Sequence, residues 1–158
     1  MSYERVPMTP IGYEKLKGEL HKLITIERPN VIKLIEQARA FGDLSENAEY
    51  DSAKERQGFI EARIKELESK IARAEVIDPE NLPSRDRVMF GVKVKLENLE
   101  NGAELIYQLV GPDETDPDQG LISITSPIGR ALMGKHEDDE VQVRTPGGLR
   151  EFIIIEIF

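Results

Sequence analysis

The chain has 158 residues, no cysteine and a formal net charge of −9. A chain of this length forms one large domain or two small ones. The lack of cysteine excludes disulfides, thiolate metal sites and cysteine nucleophiles, and the acidic balance excludes a large basic face for nucleic acid. The sequence has neither an apolar signal segment nor an apolar run of membrane-spanning length. We therefore expect a cytoplasmic protein with no membrane partner.

The first helical pattern begins at Thr9-Pro10, a cap residue followed by proline at the first helical position. Apolar residues then recur three and four apart, which predicts one helix over about 10–41. Two consecutive steps of four in its middle form a stutter, and Pro29 removes a backbone donor there. We expect the helix to bend near this proline. The predicted stripe is Tyr13, Leu16, Leu20, Leu23, Val31, Leu34, Ala38 and Phe41.

The second helical pattern runs from about 45 to 76, with steps of three and four and no interruption. This is a heptad seam, which is typical of a coiled coil. The short connection after Gly42 makes the two helices antiparallel. We therefore predict a coiled-coil hairpin over residues 1–78. Its second seam is Tyr50, Ala53, Gln57, Ile60, Ile64, Leu67, Ile71 and Ala74.

The sequence period changes after the segment 78–83, whose two prolines mark a domain boundary. Residues 79–158 then contain short alternating or apolar runs, which predict strands. Ser126-Pro127 and a later glycine predict one short helix among them, and Pro146-Gly147-Gly148 predicts a hairpin turn. The predicted fold class is α+β, a coiled-coil hairpin followed by a small antiparallel sheet with one short helix. The predicted strands are 88–99, 105–110, 122–124, 141–143 and 152–157.

The stretch 42–51 contains four carboxylates, and no Lys or Arg lies between Arg39 and Lys54. Asp43 and Glu46 are three residues apart, so they can meet on one face of a turn. Mg²⁺ commonly binds one or two protein carboxylates together with waters and substrate phosphates. This pair is a partial site. Placed where phosphates and one metal are already bound, it could secure a second metal and an attacking water.

The same acids allow a second interpretation, a capping box with Asp43 as the N-cap and Glu46 at the third helical position. Acids near a helix N-terminus also gain about 0.3–1 kcal/mol each from its dipole. Caps need one or two acids rather than four, and both interpretations stay open. Asn47 could position a water at this tip, and Tyr50 could pack against it.

Basic residues flank the tip on both helices. Arg39, Lys54 and the nearby Arg56 are either part of a solvated mixed-charge face or a small basic spot that holds a phosphate strand. The sequence leaves both interpretations open.

The string from Gly42 to Tyr50, GDLSENAEY, resembles the tip signature of the bacterial Gre transcript-cleavage factors. Ala38-Arg39 before it and Ala53-Lys54-Glu55 after it extend the resemblance. Matching segments elsewhere carry it over the whole chain. They are Pro7-Met8-Thr9 with Gly12, Val76-Ile77-Asp78, Ser126-Pro127-Ile128, Gly134-Lys135 and Thr145-Pro146-Gly147-Gly148.

This resemblance implies a transcription elongation factor that rescues backtracked, arrested RNA polymerase. The hairpin tip would enter the secondary channel, where Asp43 and Glu46 would support the second Mg²⁺ of the polymerase and its water. The polymerase itself would hydrolyse the transcript, so the factor would not be an enzyme. Arg39 and Lys54, with Arg56 nearby, would meet the extruded RNA 3′ end. The tip would be supported by Leu44, Ser45, Asn47, Ala48, Glu49 and Tyr50.

The resemblance also implies an FKBP-like C-terminal domain over 79–158 that docks at the channel rim through Ser126, Pro127 and Ile128. We expect a monomer with no stably bound cofactor, since the magnesium would be shared with the polymerase. Two alternatives remain from the residues alone. One is an independent magnesium-dependent nuclease, and the other is a coiled-coil adaptor or inhibitor that binds the same channel without helping cleavage.

Overall fold

A computed structural model describes residues 4–42 and 47–158 of the chain. The chain divides into two compact units. One is Tyr13–Arg73, and the other is Ala74–Phe158 together with the N-terminal segment up to Gly12. The predicted boundary lies after residue 78, with the N-terminal segment in the hairpin, so the two divisions differ in where residues 1–12 and 74–78 belong.

A short parallel strand pair accounts for that difference. Strand β1 (Val6–Met8) pairs with β2 (Ala74–Val76), and Met8, opposite Val76, is fully buried. Neither strand is predicted from the sequence, and the second helix, predicted through residue 76, is wrong for 74–76. Ala74 falls on the heptad register, so the apolar spacing is the same whether the chain continues as a helix or begins a strand. The partner of that strand, β1, lies far away in sequence.

The first arm of the hairpin contains three consecutive helical segments, α1 (Pro10–Lys22), a π-helical segment (Leu23–Glu27) and α2 (Arg28–Arg39). Thr9 Oγ1 accepts a hydrogen bond of 3.1 Å from the Gly12 N–H, so the predicted cap is confirmed. In the π segment, the Arg28 N–H donates to the Leu23 carbonyl, five residues back. The wider turn absorbs the predicted stutter, directly before Pro29.

The second arm is α3 (Ala48–Arg73), and it buries the predicted seam residues Ala53, Ile60, Ile64 and Leu67. The first arm buries Leu16, Val31, Ile35 and Ala38 against the seam. The predicted positions Leu34 and Phe41 are wrong, because they are 48% and 73% exposed, and Ile35 takes the inward position instead. Steps of three and four both suit an α-helix, so two adjacent apolar residues could not be told apart by spacing.

The two arms run antiparallel, as predicted. Glu19 near the start of the first arm pairs with Arg63 near the end of α3. Glu27, later in the first arm, pairs with Arg56, earlier in α3. No helix in the described part of the chain is both long and apolar enough to cross a bilayer.

The second unit contains a five-stranded sheet in the order β5-β4-β3-β7-β6. Every pair is antiparallel except β4 with β5, which is parallel. The predicted α+β fold class, with a small and mostly antiparallel sheet, is confirmed, and the sheet has one parallel pair at this edge. The connection between these two strands, residues 111–120, contains two short 3₁₀ turns, Pro112–Glu114 and Pro117–Gln119, and returns the chain to the other end of the sheet. The strands are β3 (Lys93–Asn98), β4 (Glu104–Val110), β5 (Leu121–Ser123), β6 (Glu140–Thr145) and β7 (Gly148–Ile157).

Gly91 shortens the strand predicted over 88–99, so that β3 begins at Lys93. Its φ of +91° lies in the left-handed region, and its N–H donates to the Leu109 carbonyl at 2.7 Å. A residue with a Cβ is strained in that conformation. The chain therefore turns at residue 91 and pairs as a strand only afterwards.

The predicted short helix and the predicted hairpin turn are both confirmed. Helix α4 (Pro127–Leu132) begins after Ser126, whose Oγ accepts from the Gly129 N–H at 3.0 Å, and it buries Leu132 against the sheet. The turn at residues 146–147 joins β6 to β7, with Thr145 opposite Gly148. The core residues of this unit are Val88, Val92, Val94, Leu96, Leu109, Ile122, Leu132, Val141, Val143, Phe152, Ile154 and Ile157.

Candidate functional site

One side chain, that of Asn47, joins the two helices beside the predicted tip. Its Nδ2 donates to the Ala38 carbonyl at the end of α2, at 2.7 Å. Its Oδ1 accepts from the Tyr50 N–H in the first turn of α3, at 3.1 Å. A carboxamide carries both a donor and an acceptor, so it satisfies both partners in one orientation. Asn47 is therefore the N-cap of α3 and also a cross-link to α2.

This cap bears directly on the two interpretations of the tip acids. Helix α3 begins at Ala48, whereas a capping box built on Asp43 and Glu46 needs a helix that begins at residue 44. The capping role at the start of α3 belongs to Asn47. Four predicted site residues, Asp43, Leu44, Ser45 and Glu46, lie outside the described residues, and their roles stay predictions.

Small side chains let the helices approach each other beside the tip. Ala38 on α2 and Ala53 on α3 are buried, with 2% and 7% exposure. An open groove of about 700 Å³ lies over this contact and is bordered by Leu34 and by Phe41, which is 73% exposed. Of the predicted tip-support residues, Ala48 and Glu49 are exposed and Tyr50 is half-buried.

The three predicted basic residues are all exposed, but they are engaged differently. Arg39, the last residue of α2, forms no ion pair within the described ranges, whereas the Lys54 Nζ donates to Gln57 Oε1 at 3.1 Å. Arg56 Nη2 lies 2.9 Å from Glu27 Oε2. Lys54 and Arg56 are two residues apart on a continuous helix, so they point in directions about 200° apart. The three cations do not share one face, and their contact with RNA stays a prediction.

The magnesium prediction depends on Asp43 and Glu46. Within residues 4–42 and 47–158, no group of three or more His, Asp or Glu side chains is arranged to hold a metal. Carboxylate oxygens are ligands that suit Mg²⁺. Magnesium binding by Asp43 and Glu46 therefore stays a prediction.

The residues predicted to dock on the polymerase have structural roles in the second unit. Ser126 Oγ caps α4 and donates to the Ser123 carbonyl at 2.6 Å. Ile128 is half-buried against the core, and Pro127 is exposed. A Cβ on Gly129 would lie 2.0 Å from the Ser123 oxygen, so this turn is tightly packed. Docking through these residues stays a prediction.

Charge pairs along the middle of the hairpin shift several pKa values. A hydrogen bond from Arg28 holds the pKa of Glu61 below its usual value. Bonds from Lys70 and then Arg63 lower the pKa of Glu66 in the same way. The bond to Glu19 raises the pKa of Arg63. These pairs stabilise the charged forms along the hairpin, away from the residues predicted to act at its tip.

The sequence matches two family descriptions that together cover nearly the whole chain. "Transcription elongation factor, N-terminal" matches residues 6–76, and "Transcription elongation factor, GreA/GreB, C-term" matches residues 82–158. The chain belongs to the GreA/GreB family of transcription elongation factors. The resemblance read from the tip string is therefore confirmed, and the family assignment places the chain in transcription elongation.

Individual relatives in the GreA/GreB family are similar over almost the full length. The chain is 53% identical over 152 residues to "Transcription elongation factor GreA" of Verminephrobacter eiseniae, covering 96% of each chain. It is 57% identical over 147 residues to the GreA of Ralstonia nicotianae, covering 93% of each. Among solved structures, GreA factor homolog 1 (Gfh1) of Thermus thermophilus is 30% identical, with 98% of this chain and 99% of that chain covered and a TM-score of 0.45.

The double role of Asn47 in this GreA/GreB chain is not predicted by the sequence, from which Asn47 is interpreted as a residue that could position a water. The available signal was an asparagine three residues before Tyr50 at the start of a heptad pattern, which is a favoured N-cap placement. The bond to the Ala38 carbonyl had no signal in the sequence, because it depends on how closely the two helices approach.

Proposed function

We propose that this protein rescues backtracked RNA polymerase by placing its hairpin tip in the secondary channel and stimulating the polymerase's own cleavage of the transcript 3′ end. The observation that carries the proposal is the position of the acidic stretch in the chain. It lies in the connection between two antiparallel helices, at the opposite end of α3 from Arg73. With 26 residues, α3 is about 39 Å long, long enough to carry the tip into a deep channel.

The tip would supply only part of a metal site. Asp43 and Glu46 would offer carboxylate oxygens to a magnesium ion shared with the polymerase, whose active site would supply the remaining ligands. When bound, that ion activates the attacking water and stabilises charge on the phosphate. The division of labour explains why the factor itself need not be an enzyme.

The remaining predicted residues would contribute to binding. Arg39 and Lys54 would contact phosphates of the extruded RNA, which makes this share of the affinity sensitive to salt. The second unit would dock at the channel rim, with Ser126, Pro127 and Ile128 as candidate contacts. The relatives' shared name, transcription elongation factor, supports this assignment.

The test uses purified polymerase complexes that have backtracked on a defined template, with RNA labelled at its 5′ end. The unaltered factor should shorten the RNA from its 3′ end. Asp43→Asn combined with Glu46→Gln should remove this stimulation while binding to polymerase is retained. Asp51→Asn combined with Glu55→Gln is the matched control, because it removes two exposed charges from the adjacent turns of α3. It should leave cleavage nearly unchanged.

The same assay separates the alternatives. Cleavage of RNA by the factor and Mg²⁺ without polymerase would establish an independent nuclease. Binding to polymerase without any cleavage, by the unaltered chain, would establish an adaptor or inhibitor. If the D43N/E46Q protein still stimulates cleavage, the role proposed for the tip acids is wrong.

A further inference from the structure

We infer that Asn47 is a positioning residue for transcript cleavage, because it fixes the two ends of the connection that carries Asp43 and Glu46. This inference rests on the proposed function of the tip. It assigns to Asn47 no contact with RNA, metal or water. Its role is to set where the connection leaves α2 and where it enters α3.

The end of α2 shows how the contact is made. The Ala38 carbonyl accepts from the Phe41 N–H at 3.2 Å and from Asn47 Nδ2 at 2.7 Å, and the Gly42 N–H donates to the Arg39 carbonyl at 3.1 Å. The last carbonyls of a helix have no partner within the helix. At Ala38 the opposite arm of the hairpin supplies one, so the side chain of Asn47 closes α2 from outside.

The start of α3 is held by the same residue. Asn47 Oδ1 accepts from the Tyr50 N–H at 3.1 Å, and the Asn47 carbonyl accepts from the Asp51 N–H at 3.1 Å. Side chain and backbone of one residue therefore begin the helix. Each polar atom of the amide makes one hydrogen bond inside the hairpin, which supports a positioning role for Asn47.

Few side chains can make both contacts. Aspartate caps a helix as well as asparagine does, but its carboxylate has no donor for the Ala38 carbonyl. Serine also caps well, and it is shorter and uncharged. Alanine makes neither contact. Asn47→Asp and Asn47→Ser therefore share the loss of the Ala38 bond, keep the cap, and differ in charge.

The bond from Asn47 Nδ2 to the Ala38 carbonyl ties the start of α3 to the end of α2, and without it the two helix ends can move relative to each other. Catalytic groups tolerate little displacement, and an error of about 1 Å can reduce a rate by roughly 100-fold. The seam of buried residues along α3 remains intact without this bond. We therefore expect loss of the bond to reduce the cleavage rate and to leave binding to polymerase unchanged.

The experiment measures cleavage by backtracked complexes as a function of factor concentration for the unaltered chain, N47D and N47S. Both variants should show a maximal rate reduced by roughly tenfold or more, with the same half-saturating factor concentration. N47A, which also loses the cap, should be at least as slow. A purely structural role would raise the half-saturating concentration or lower the unfolding temperature, so both are measured alongside.

A second readout examines the bond without polymerase. The chain has no cysteine, so Ala40→Cys with Ser52→Cys gives one pair of exposed sites for nitroxide labels on the two sides of the connection. Continuous-wave EPR should show a defined dipolar broadening in the labelled parent. The same labels in N47D and N47S should show a weaker and more distributed broadening.

The outcomes separate this inference from the proposed function. If D43N/E46Q abolishes cleavage while N47D and N47S cleave at the full rate, Asn47 does not position the tip and only the inference fails. If the spectra of parent and variants are identical, the inference fails independently of any activity. If D43N/E46Q cleaves normally, the proposed function itself fails, whatever the EPR result.

Discussion

Arg28 and Glu61 form a two-pronged ion pair between the arms of the hairpin. Arg28 Nε donates to Glu61 Oε1 at 2.8 Å, and Nη2 donates to Oε2 at 2.9 Å. Arg28 is the first residue of α2, directly after the π-helical segment. The pair therefore ties the irregular turn of the first arm to a regular part of α3. Its side chains are 35% and 43% exposed, so solvent screens the attraction and its energetic effect is modest.

This pair predicts a loss of hairpin stability in acid. The bond from Arg28 lowers the pKa of Glu61 below its usual 4.5, and Glu66 shifts in the same direction. A carboxyl group with a lowered folded-state pKa contributes stability above its unfolded pKa, and that contribution is lost as pH falls through the folded pKa. We expect the thermal unfolding midpoint, followed by far-UV circular dichroism, to fall as pH is lowered below about 4.5.

Glutamine substitutions test which carboxylates are responsible. Glu61→Gln should weaken this acid dependence, because one of the two carboxylates with a lowered pKa is gone. Glu55→Gln removes an exposed carboxylate from the same helix and should leave the dependence as it was. Equal flattening by both substitutions would show that total charge, rather than the pair with Arg28, controls the acid response.

The observed seam predicts opposite outcomes at two adjacent residues. Ile35 is 7% exposed and Leu34 is 48% exposed. Truncating a buried Ile to Ala typically costs about 2–5 kcal/mol, so Ile35→Ala should lower the free energy of unfolding by an amount in this range. Leu34→Ala should change it by less than about 0.5 kcal/mol, as for most surface substitutions. Urea titration of both variants decides between this seam and the one read from the sequence.

Much of the fold could be predicted because local signals and packing agree. Thr9-Pro10 and Ser126-Pro127 are caps in the sequence and caps in the structure. The stutter before Pro29 appears as a π-helical segment, because two steps of four are what a wider turn accommodates. These features need only a few neighbouring residues to be determined.

The features that could not be predicted depend on residues far apart in sequence. The parallel pairing of β1 with β2 and of β4 with β5 follows from how distant segments meet, and three-residue strands have too little pattern to indicate it. At the tip, the acidic residues are visible in the string 42–51, and their magnesium chemistry stays a prediction. The contact of Asn47 with Ala38 required the two helices to be placed side by side.

The Glu114 carboxylate, hydrogen-bonded to Thr9 at the start of α1 and called the latch below, predicts that Gly12→Ala destabilises the protein. Glu114 Oε1 accepts from the Thr9 N–H at 3.0 Å and from the Thr9 hydroxyl, and Oε2 accepts from the Gly111 N–H at 2.9 Å. A Cβ on Gly12 would lie 2.1 Å from Glu114 Oε1. Gly12→Ala should therefore displace Glu114 and destabilise the protein by about 1–3 kcal/mol, the usual cost of losing hydrogen bonds to a charged group.

Gly18 provides the matched control for this effect. It lies in the same helix, and a Cβ there meets nothing within 4 Å. Gly18→Ala should stabilise the protein by up to about 1 kcal/mol, because alanine is the better helix former. A double-mutant cycle completes the test by thermal unfolding. In an E114A background, G12A should no longer destabilise, and a cost that persists would mean that Gly12 is constrained by something other than the latch.

The different engagement of Arg39 and Arg56 predicts unequal effects on transcript cleavage. Arg39 forms no ion pair with any other described residue, whereas Arg56 lies 2.9 Å from Glu27 Oε2. Arg39→Ala should raise the half-saturating factor concentration and reduce the slope of its salt dependence by about 1, the value for one phosphate contact. Arg56→Ala should change both quantities less, and Glu27→Gln, which releases Arg56, should strengthen RNA-dependent binding.

Titrating each variant against backtracked complexes at several salt concentrations measures the effects of all three substitutions. If R56A weakens cleavage as much as R39A does, the ion pair with Glu27 does not withhold Arg56 from RNA.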